Sequence, residues 1–492
     1  MLYPSLEEAK QIASTGNFGI IPVATELFSD QTTPIRVLEI LKGVSDHVYL
    51  LESVEDSTRW GRYSFLGYDP TMELTCLDGT LRITRDGVTE TTEHADPRPA
   101  IKRTLAENRS PQLSCMPSFT GGLVGYFSYD YLKYSEPTLT LDAADVEHFN
   151  DVDLMLFDKV IAFDNLRQKI VLITNIRTDD LDARYQEAKT VLAEMGKLIS
   201  EGTPQMPPAG HMTGPATPLF EEQEFCSLVK RAKEHIREGD IFQVVLSNRL
   251  EAPYEGSLLN AYRVLRTINP SPYLFYFTSN DIELTGASPE TLAKLENGKL
   301  YSFPLAGTRP RGKTAAEDDE LEADLLKDEK ELAEHNMLVD LGRNDVGKVC
   351  EFGTVTVDRF HEVLKFSHVM HIGSQVSGTL RPDRDALDAI DAVLPAGTLS
   401  GAPKLRAAQI INEMENDKRG IYGGAIGYLS FTGNMDTCIA IRLAFAKNGK
   451  VYVRSGAGIV ADSVPETEFH ETINKAKAMV SALEIAQEDP AL

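Results

Sequence analysis

Two Asn-Gly dipeptides, Asn297-Gly298 and Asn448-Gly449, each stand between a pair of short apolar runs. Asn-Gly tolerates positive φ at both central positions of a two-residue turn, so each dipeptide predicts a β-hairpin. The flanking runs are Leu292 to Leu295 with Leu300 to Phe303, and Cys438 to Phe445 with Val451 to Arg454. Val48 to Val54, Leu156 to Asp164, Ile241 to Leu250, Tyr273 to Phe277 and Ala425 to Phe431 also read as strands. A doubly wound parallel sheet would alternate strand with helix, whereas consecutive hairpins require antiparallel pairing. The expected class is α+β, with antiparallel sheets flanked by helices.

The helices are read from apolar spacing. Leu181 to Ile199 carries Ala, Leu and Met on one stripe, and Glu221 to Glu238 places Phe225, Leu228, Val229, Ala232 and Ile236 at helical intervals. Between them, Glu201 to Thr217 clusters Pro and Gly and keeps no period. This predicts an N-terminal region at 1–200, a linker at 201–219 and a second region at 220–492.

Charge narrows the partners. The chain has 49 Lys and Arg against 74 Asp and Glu, a formal charge of −25. Such a surface repels phosphate backbones and anionic lipid, so neither nucleic acid nor a membrane surface is an expected partner. No apolar run approaches the ~18 residues of a membrane span, and Met1 to Lys10 lacks the pattern of a secretory leader. The five cysteines (Cys76, Cys115, Cys226, Cys350, Cys438) are scattered and odd in number. That spacing fits neither a disulfide framework nor a zinc cluster, and a cytoplasmic protein is expected. A small anionic substrate would need a locally basic pocket or a bound metal.

Two nucleotide motifs mislead. Gly307 to Thr314, GTRPRGKT, satisfies the P-loop pattern, but the eight residues Glu317 to Asp324 include six acids. These would take the helix N-terminal N–H groups that a P-loop offers to phosphate. Gly456-Ala-Gly-Ile-Val-Ala461 matches a dinucleotide fingerprint, yet only 31 residues follow and they read as one helix. Without a second strand it is expected to be a loop whose N–H groups could hold a carboxylate.

Glu331 and Glu334 share one face of a predicted helix, and Glu468 and Glu471 repeat the spacing on another. All-oxygen donors suit Mg²⁺ better than zinc; the alternative is two solvated helix faces. In Cys438 to Phe445, Ala440, Arg442 and Ala444 share a face, leaving room for a carboxylate on Arg442. The alternative there is an Arg paired with one of many acids. His335 is expected to be structural, and His371 is either a core residue or a catalyst.

Eight blocks together resemble the chorismate-utilising enzymes, nearest the large subunits of anthranilate synthases. They are GASPE (286–290), PLAGTRPRG (304–312), KELAEHNMLVDLGRND (330–345), HVMH (368–371), GTLSGAPK (397–404), GIYGGAIGY (420–428), DTCIAIR (436–442) and GAGIVADSVPETEF (456–469). The resemblance implies a sandwich core of antiparallel sheets with helices outside, and a chorismate-binding catalytic region at 220–492. It implies that ammonia adds to C2 of chorismate with loss of the C4 hydroxyl, and that pyruvate then leaves. Glu334 and Glu471 would bind Mg²⁺, with Glu331 and Glu468 as direct or water-mediated ligands. Arg442 and Tyr422 would bind the pyruvyl carboxylate with the N–H groups of Gly456, Ala457 and Gly458. Gly307 and Thr308 would line the site, and Lys475 would lie near the metal-bound carboxylate. Glu290 would be the general acid, His371 would serve pyruvate elimination, and Thr398 would position.

Sister activities remain as alternatives. Isochorismate synthases carry a water-activating Lys where this chain has Gln243, and aminodeoxychorismate synthases carry a nucleophilic Lys where it has Ala306. The resemblance also implies a tryptophan feedback pocket in the 1–200 region and beyond, formed by Leu51, Glu52 and Ser53 with Pro272, Tyr273 and Leu274. A separate glutaminase subunit would supply ammonia, in a hetero-oligomer of two large and two small subunits. The opposing reading is a catalytically silent tryptophan-binding regulatory protein.

Overall fold

The computed structural model describes residues 1–53, 61–366 and 369–488. Val54 of the first expected strand and His368 of the HVMH block lie outside them. Within the described residues the chain forms two large antiparallel sheets. One has 13 strands and runs, in spatial order, from Ile20–Phe28 through Lys169–Arg177, Lys159–Asp164, Tyr63–Tyr68, Val48–Glu52, Tyr273–Ser279, Ile282–Ser288, Leu443–Lys447 and Lys450–Ile459 to Gln243–Glu255. The other has 12 and runs from Leu305–Pro310 through Val369–Thr379, Lys299–Ser302, Thr291–Glu296, Met435–Ile439, Ala425–Ser430, Gly122–Phe127 and Val152–Phe157 to an outer meander at Met72–Thr92.

Their inner faces meet in an aromatic core that includes Tyr49, Phe275 and Phe445 from the first sheet and Tyr126, Phe157 and Tyr428 from the second. Tyr49 meets Phe157 edge-on at 4.7 Å between ring centroids, an arrangement that aromatic quadrupoles favour. Helices cover both outer faces. Leu181–Glu201, Leu259–Ile268 and Pro465–Glu488 pack on the first sheet, and Ala386–Val393 with Glu329–Gly347 on the second. The sandwich with helices outside is therefore the observed class.

Both Asn-Gly turns form hairpins with left-handed φ at each residue: 54° and 75° at Asn297-Gly298, 53° and 72° at Asn448-Gly449. The 201–219 stretch lies along the Gln243–Glu255 strand, pairing through His211–Met212 and Thr217–Pro218. Both sheets take strands from each side of it.

Three expectations about strands change. Leu156 to Asp164 is two strands, Val152–Phe157 and Lys159–Asp164, in different sheets. Cys438 to Phe445 likewise divides into Met435–Ile439 in one sheet and Leu443–Lys447 in the other, with Arg442 at φ 50° between them. Residues on both sides of each break are buried, so the apolar pattern runs through the crossing and hides it. The Gly456 to Ala461 segment is mostly strand, as part of Lys450–Ile459 paired with Gln243–Glu255. Its glycines are explained by neighbours: a Cβ on Gly456 would sit 2.8 Å from the Tyr422 hydroxyl, and one on Gly458 2.8 Å from Gln243 Nε2.

Candidate functional site

The site lies where the chain changes sheets. Ile282–Ser288 belongs to the first sheet and Thr291–Glu296 to the second, so Pro289 and Glu290 form one crossing. Ala440 to Arg442 forms the other. The two crossings are stitched together: Ser288 Oγ donates to the Ile439 carbonyl (2.7 Å), Ile439 N–H to the Glu290 carbonyl (2.9 Å) and Ala287 N–H to the Arg442 carbonyl (3.0 Å). A carboxyl group and a guanidinium from distant sequence blocks are thereby held side by side.

Burial raises the Glu290 carboxyl above its ordinary pKa, partly offset by Arg442 and by a hydrogen bond from Thr398 Oγ1 (3.2 Å). Such a group can hold a proton that an exposed carboxylate would lose. Arg442 is accessible from the cleft, yet the protein packed around its guanidinium is enough for desolvation to lower its pKa, against the pull of Glu290. Its charge is answered only weakly, which suits it to an incoming carboxylate.

His371 lies on the Val369–Thr379 strand opposite Thr308, near enough to Arg442 to feel its charge. Its Nδ1 lies 2.8 Å from the Gly307 carbonyl and 3.1 Å from Thr308 Oγ1. Since a carbonyl only accepts, Nδ1 carries the proton and Nε2 is left with its lone pair. Burial lowers the His371 pKa, Gly307 partly opposes this, and Arg442 lowers it further, so the ring is a neutral base near pH 7. Gly307 has φ 70°, and a Cβ there would press on Leu325 Cδ1 at 3.1 Å and Glu331 Oε2 at 3.3 Å. The glycine lets a metal-ligand candidate approach the bulge that carries Thr308.

In the P-loop-like stretch the groups that would meet a phosphate are already engaged. Gly312 N–H donates to Asp318 (2.6 Å), Lys313 N–H to Glu317 (2.7 Å), and Arg311 is forked onto Asp318. Acids of the Ala315–Leu325 helix have taken the N–H groups of the loop before it.

Gln243 is buried beside Gly458. In the antiparallel register Val245 faces Gly458 and Ser247 faces Gly456. However, Val245 N–H bonds the Ser400 carbonyl and Ser247 N–H bonds Glu415. These are therefore the wide pairs of the ladder, and the Gly456 and Gly458 backbone groups point away from that strand. They point to the side where the neighbouring strand has ended, its pairing stopping at Ala444 with Val453. The Gly456 carbonyl accepts from Lys475 Nζ (3.1 Å) on that side. Ala457, in the alternate register, turns its N–H into the ladder.

The glutamates come from two helices, Glu329–Gly347 and Pro465–Glu488. Burial raises the Glu334 carboxyl, with Glu331 and then Glu471 adding repulsion, and burial raises Glu468 with Glu471 adding to it. Lys475 pairs with Glu471 at 2.6 Å. The four carboxylates feel one another without converging on one point. Among the described residues, three metal-ligand side chains come within 4.8 Å only at His235, Glu238 and Asp240, where Arg406 already neutralises Asp240 (2.8 Å). His335 is a core residue: it is fully buried, its Nε2 lies 2.7 Å from Ser374 Oγ, its Nδ1 has no partner among the described residues, and burial pushes its pKa down to about 4.

The six remaining expected residues meet elsewhere. Leu51, Glu52, Ser53, Pro272, Tyr273 and Leu274 all line a cavity of about 270 Å³ between the sheets. Glu52 is occupied behind it by Tyr262 (2.7 Å) and Arg266 (2.8 Å), whereas the buried Ser53 hydroxyl has no partner among the described residues. Tyr273 donates to Asp436 (2.8 Å) and meets Thr291 (2.9 Å), the residue after Glu290. Arg62, Tyr63 and Tyr428 also line this cavity, and no local pattern marks them because Arg62 and Tyr63, at the start of the Tyr63–Tyr68 strand, meet Tyr428 of the Ala425–Ser430 strand only in the fold. Lys404 was also missed: it bonds Asp345 (2.7 Å) and the Val393 carbonyl (2.9 Å), tying the glutamate-bearing helix to the loop before Thr398.

The pattern of the chorismate binding enzyme family matches residues 48–481. Anthranilate synthase component 1 from Aquifex aeolicus is 44% identical, over 98% of this chain and 98% of its own. The protein of that name from Pseudomonas aeruginosa is 43% identical, over 98% of this chain and 99% of its own. Among solved structures, anthranilate synthase component I from Streptococcus pneumoniae superposes with a TM-score of 0.73 at 36% identity, covering 92% of this chain and 98% of that one. The menaquinone-specific isochorismate synthase from Escherichia coli shares the fold at a TM-score of 0.70 and 19% identity, covering 97% of this chain and 98% of that one.

Proposed function

This chain belongs to the chorismate-binding enzymes, and within that family we propose that it is the synthase subunit that converts chorismate and ammonia to anthranilate, pyruvate and water. The observation that carries the reading is the pair of sheet crossings, which sets a protonatable carboxyl beside an under-compensated guanidinium whose charge also reaches a neutral imidazole. Relatives at 41–44% identity along nearly the whole chain bear the anthranilate synthase name.

Each group has a task that its environment supports. Arg442, Tyr422 and the outward N–H groups of Gly456 and Gly458 would hold the enolpyruvyl carboxylate. Glu290, steadied by Thr398, would protonate the C4 hydroxyl as ammonia bonds to C2, so that it departs as water. His371 Nε2 would then accept the C2 proton as the C–O bond to the enolpyruvyl group breaks and the ring becomes aromatic. Gln243 holds no basic nitrogen with which to activate water, which leaves ammonia as the nucleophile.

The glutamate cluster fits a hard divalent cation by its donor set, all carboxylate oxygen, and by the mutual repulsion that such a cation relieves. Glu334 and Glu471, with Glu331 and Glu468 beside them, would hold Mg²⁺. When bound, the ion would neutralise and orient the ring carboxylate. Chelation is expected to abolish turnover and added Mg²⁺ to restore it. Glu334→Gln should raise the Mg²⁺ concentration needed for half-activity by at least ~10-fold; an unchanged Mg²⁺ requirement would remove Glu334 from the site.

The 270 Å³ cavity is smaller than a drug-sized pocket and suits one amino acid. Tryptophan there would act as a feedback inhibitor, with the Ser53 hydroxyl as one of its contacts. Ser53→Phe fills the space with a ring, so turnover should persist while the inhibitory concentration of tryptophan rises ~100-fold or more. Undiminished inhibition of that variant would sink the assignment. A separate glutaminase subunit would deliver the ammonia, in a cytoplasmic assembly of two subunits of each kind. Purified chain incubated with chorismate, Mg²⁺ and an ammonium salt should form fluorescent anthranilate. Isochorismate, aminodeoxychorismate or no product would each overturn the reading.

A further inference from the structure

Glu415, the last residue of the Lys404–Glu415 helix, and Arg419 just beyond it form an ion pair whose side chains are each 1% exposed. Arg419 forks onto Glu415 through Nε (2.9 Å) and Nη2 (2.5 Å). It also donates to the Leu399 carbonyl (2.6 Å) and the Val245 carbonyl (2.7 Å). Glu415 in turn accepts from Ser247 N–H (2.7 Å) and Ser247 Oγ (3.0 Å). The guanidinium lies 4.7 Å from the Tyr129 ring centroid and 5.9 Å from that of Tyr422.

These partners have one thing in common. Val245 and Ser247 are the residues opposite Gly458 and Gly456, Leu399 follows Thr398, and Tyr422 reaches Gly456. The short Gly401–Ala402 strand pairs with Gln243 and Val244 only. Beyond it, the ion pair supplies the donor and acceptor that a neighbouring strand would have given. We propose that Arg419, held by Glu415, is a positioning residue for the carboxylate-binding end of the site. Arg419 satisfies the outward carbonyl of Val245 and Glu415 the outward N–H of Ser247, and together they fix the wide-pair register that leaves the Gly456 and Gly458 amides to the substrate. Arg419 also sets the Tyr422 ring and the Thr398 loop. Arg419 touches no substrate itself, and its role rests on the anthranilate synthase reading.

Once wild-type turnover is established, Arg419→Lys and Glu415→Gln test the role. A single ammonium cannot span Glu415 and two carbonyls as a guanidinium does, and a neutral amide cannot answer both Arg419 and Ser247. Each variant should raise the chorismate KM at least about tenfold, the scale of one lost hydrogen bond to a charged group. The ammonium KM should stay at the wild-type value, and kcat should change less. A purely structural pair would instead lower the amount of active enzyme and leave both KM values alone. Wild-type chorismate KM in a folded variant, a parallel rise in both KM values, or failure of both variants to fold would each overturn the proposal. If only one folds, its chorismate KM decides. Absence of wild-type turnover would instead fail the functional reading, which keeps the two failures apart.

Discussion

Glu290→Gln lowers kcat by ~10²–10⁴-fold, the usual weight of a positioned general acid, while making the protein more stable above pH 5. The two effects share one cause. Burial raises the Glu290 pKa in the folded protein, so the folded state holds this proton more tightly than the unfolded chain does. Stability from this group is full below the unfolded carboxyl pKa and is lost as pH rises through the folded value. Glutamine never ionises and escapes that loss. Catalysis follows the same proton: activity that depends on Glu290 as an acid declines as pH rises through its raised pKa. It also depends on neutral His371, whose lowered pKa places the opposing limb on the acid side. Rates of anthranilate formation against pH, with thermal melts of both proteins at pH 5 and pH 8, check this. Near-wild-type kcat in the glutamine variant would remove Glu290 from the chemistry, and a melting difference that does not grow with pH would contradict its burial.

Arg442→Met should lower kcat/KM for chorismate ~10³-fold. This corresponds to the ~4 kcal/mol typical of a carboxylate left facing a site from which its charged partner has been removed. Arg442→Lys should recover only part, because an ammonium at the end of a flexible stem does not reproduce two parallel N–H donors. The protein should remain folded in both cases, since Arg442 is accessible and its backbone carbonyl, which bonds Ala287, is untouched. Initial rates across a range of chorismate concentrations at saturating ammonium give the ratio. A methionine variant within threefold of wild type would leave the carboxylate without its assigned anchor.

Much of this was legible in the sequence, and the physics explains which parts. Strand polarity was written in Asn297-Gly298 and Asn448-Gly449, because only a tight two-residue turn needs left-handed backbone twice in succession. The outer helices were legible because one face of each is buried, as with Tyr185, Ala188, Leu192, Met195 and Ile199 on the Leu181–Glu201 helix. The competition at the P-loop-like stretch was legible because acids in a first helical turn reach back to the N–H groups just before the helix. The breaks at Asp158 and Arg442 were not, because strands buried in the sandwich interior are apolar on either side of the crossing.

Sequence by itself determined the antiparallel class, the helices, the family and the chemical types gathered in the site. Only the tertiary structure decided that Glu290 and Arg442 are neighbours, since that depends on two crossings 152 residues apart being stitched by backbone hydrogen bonds. It also decided which amides of Gly456 to Gly458 face the cleft, because strand register belongs to a pair of strands and not to either one. The net charge of −25 said that anions are repelled; the fold decides where one would be received. Two helices bring together carboxylates that would hold a cation, and a sheet crossing leaves one arginine incompletely answered.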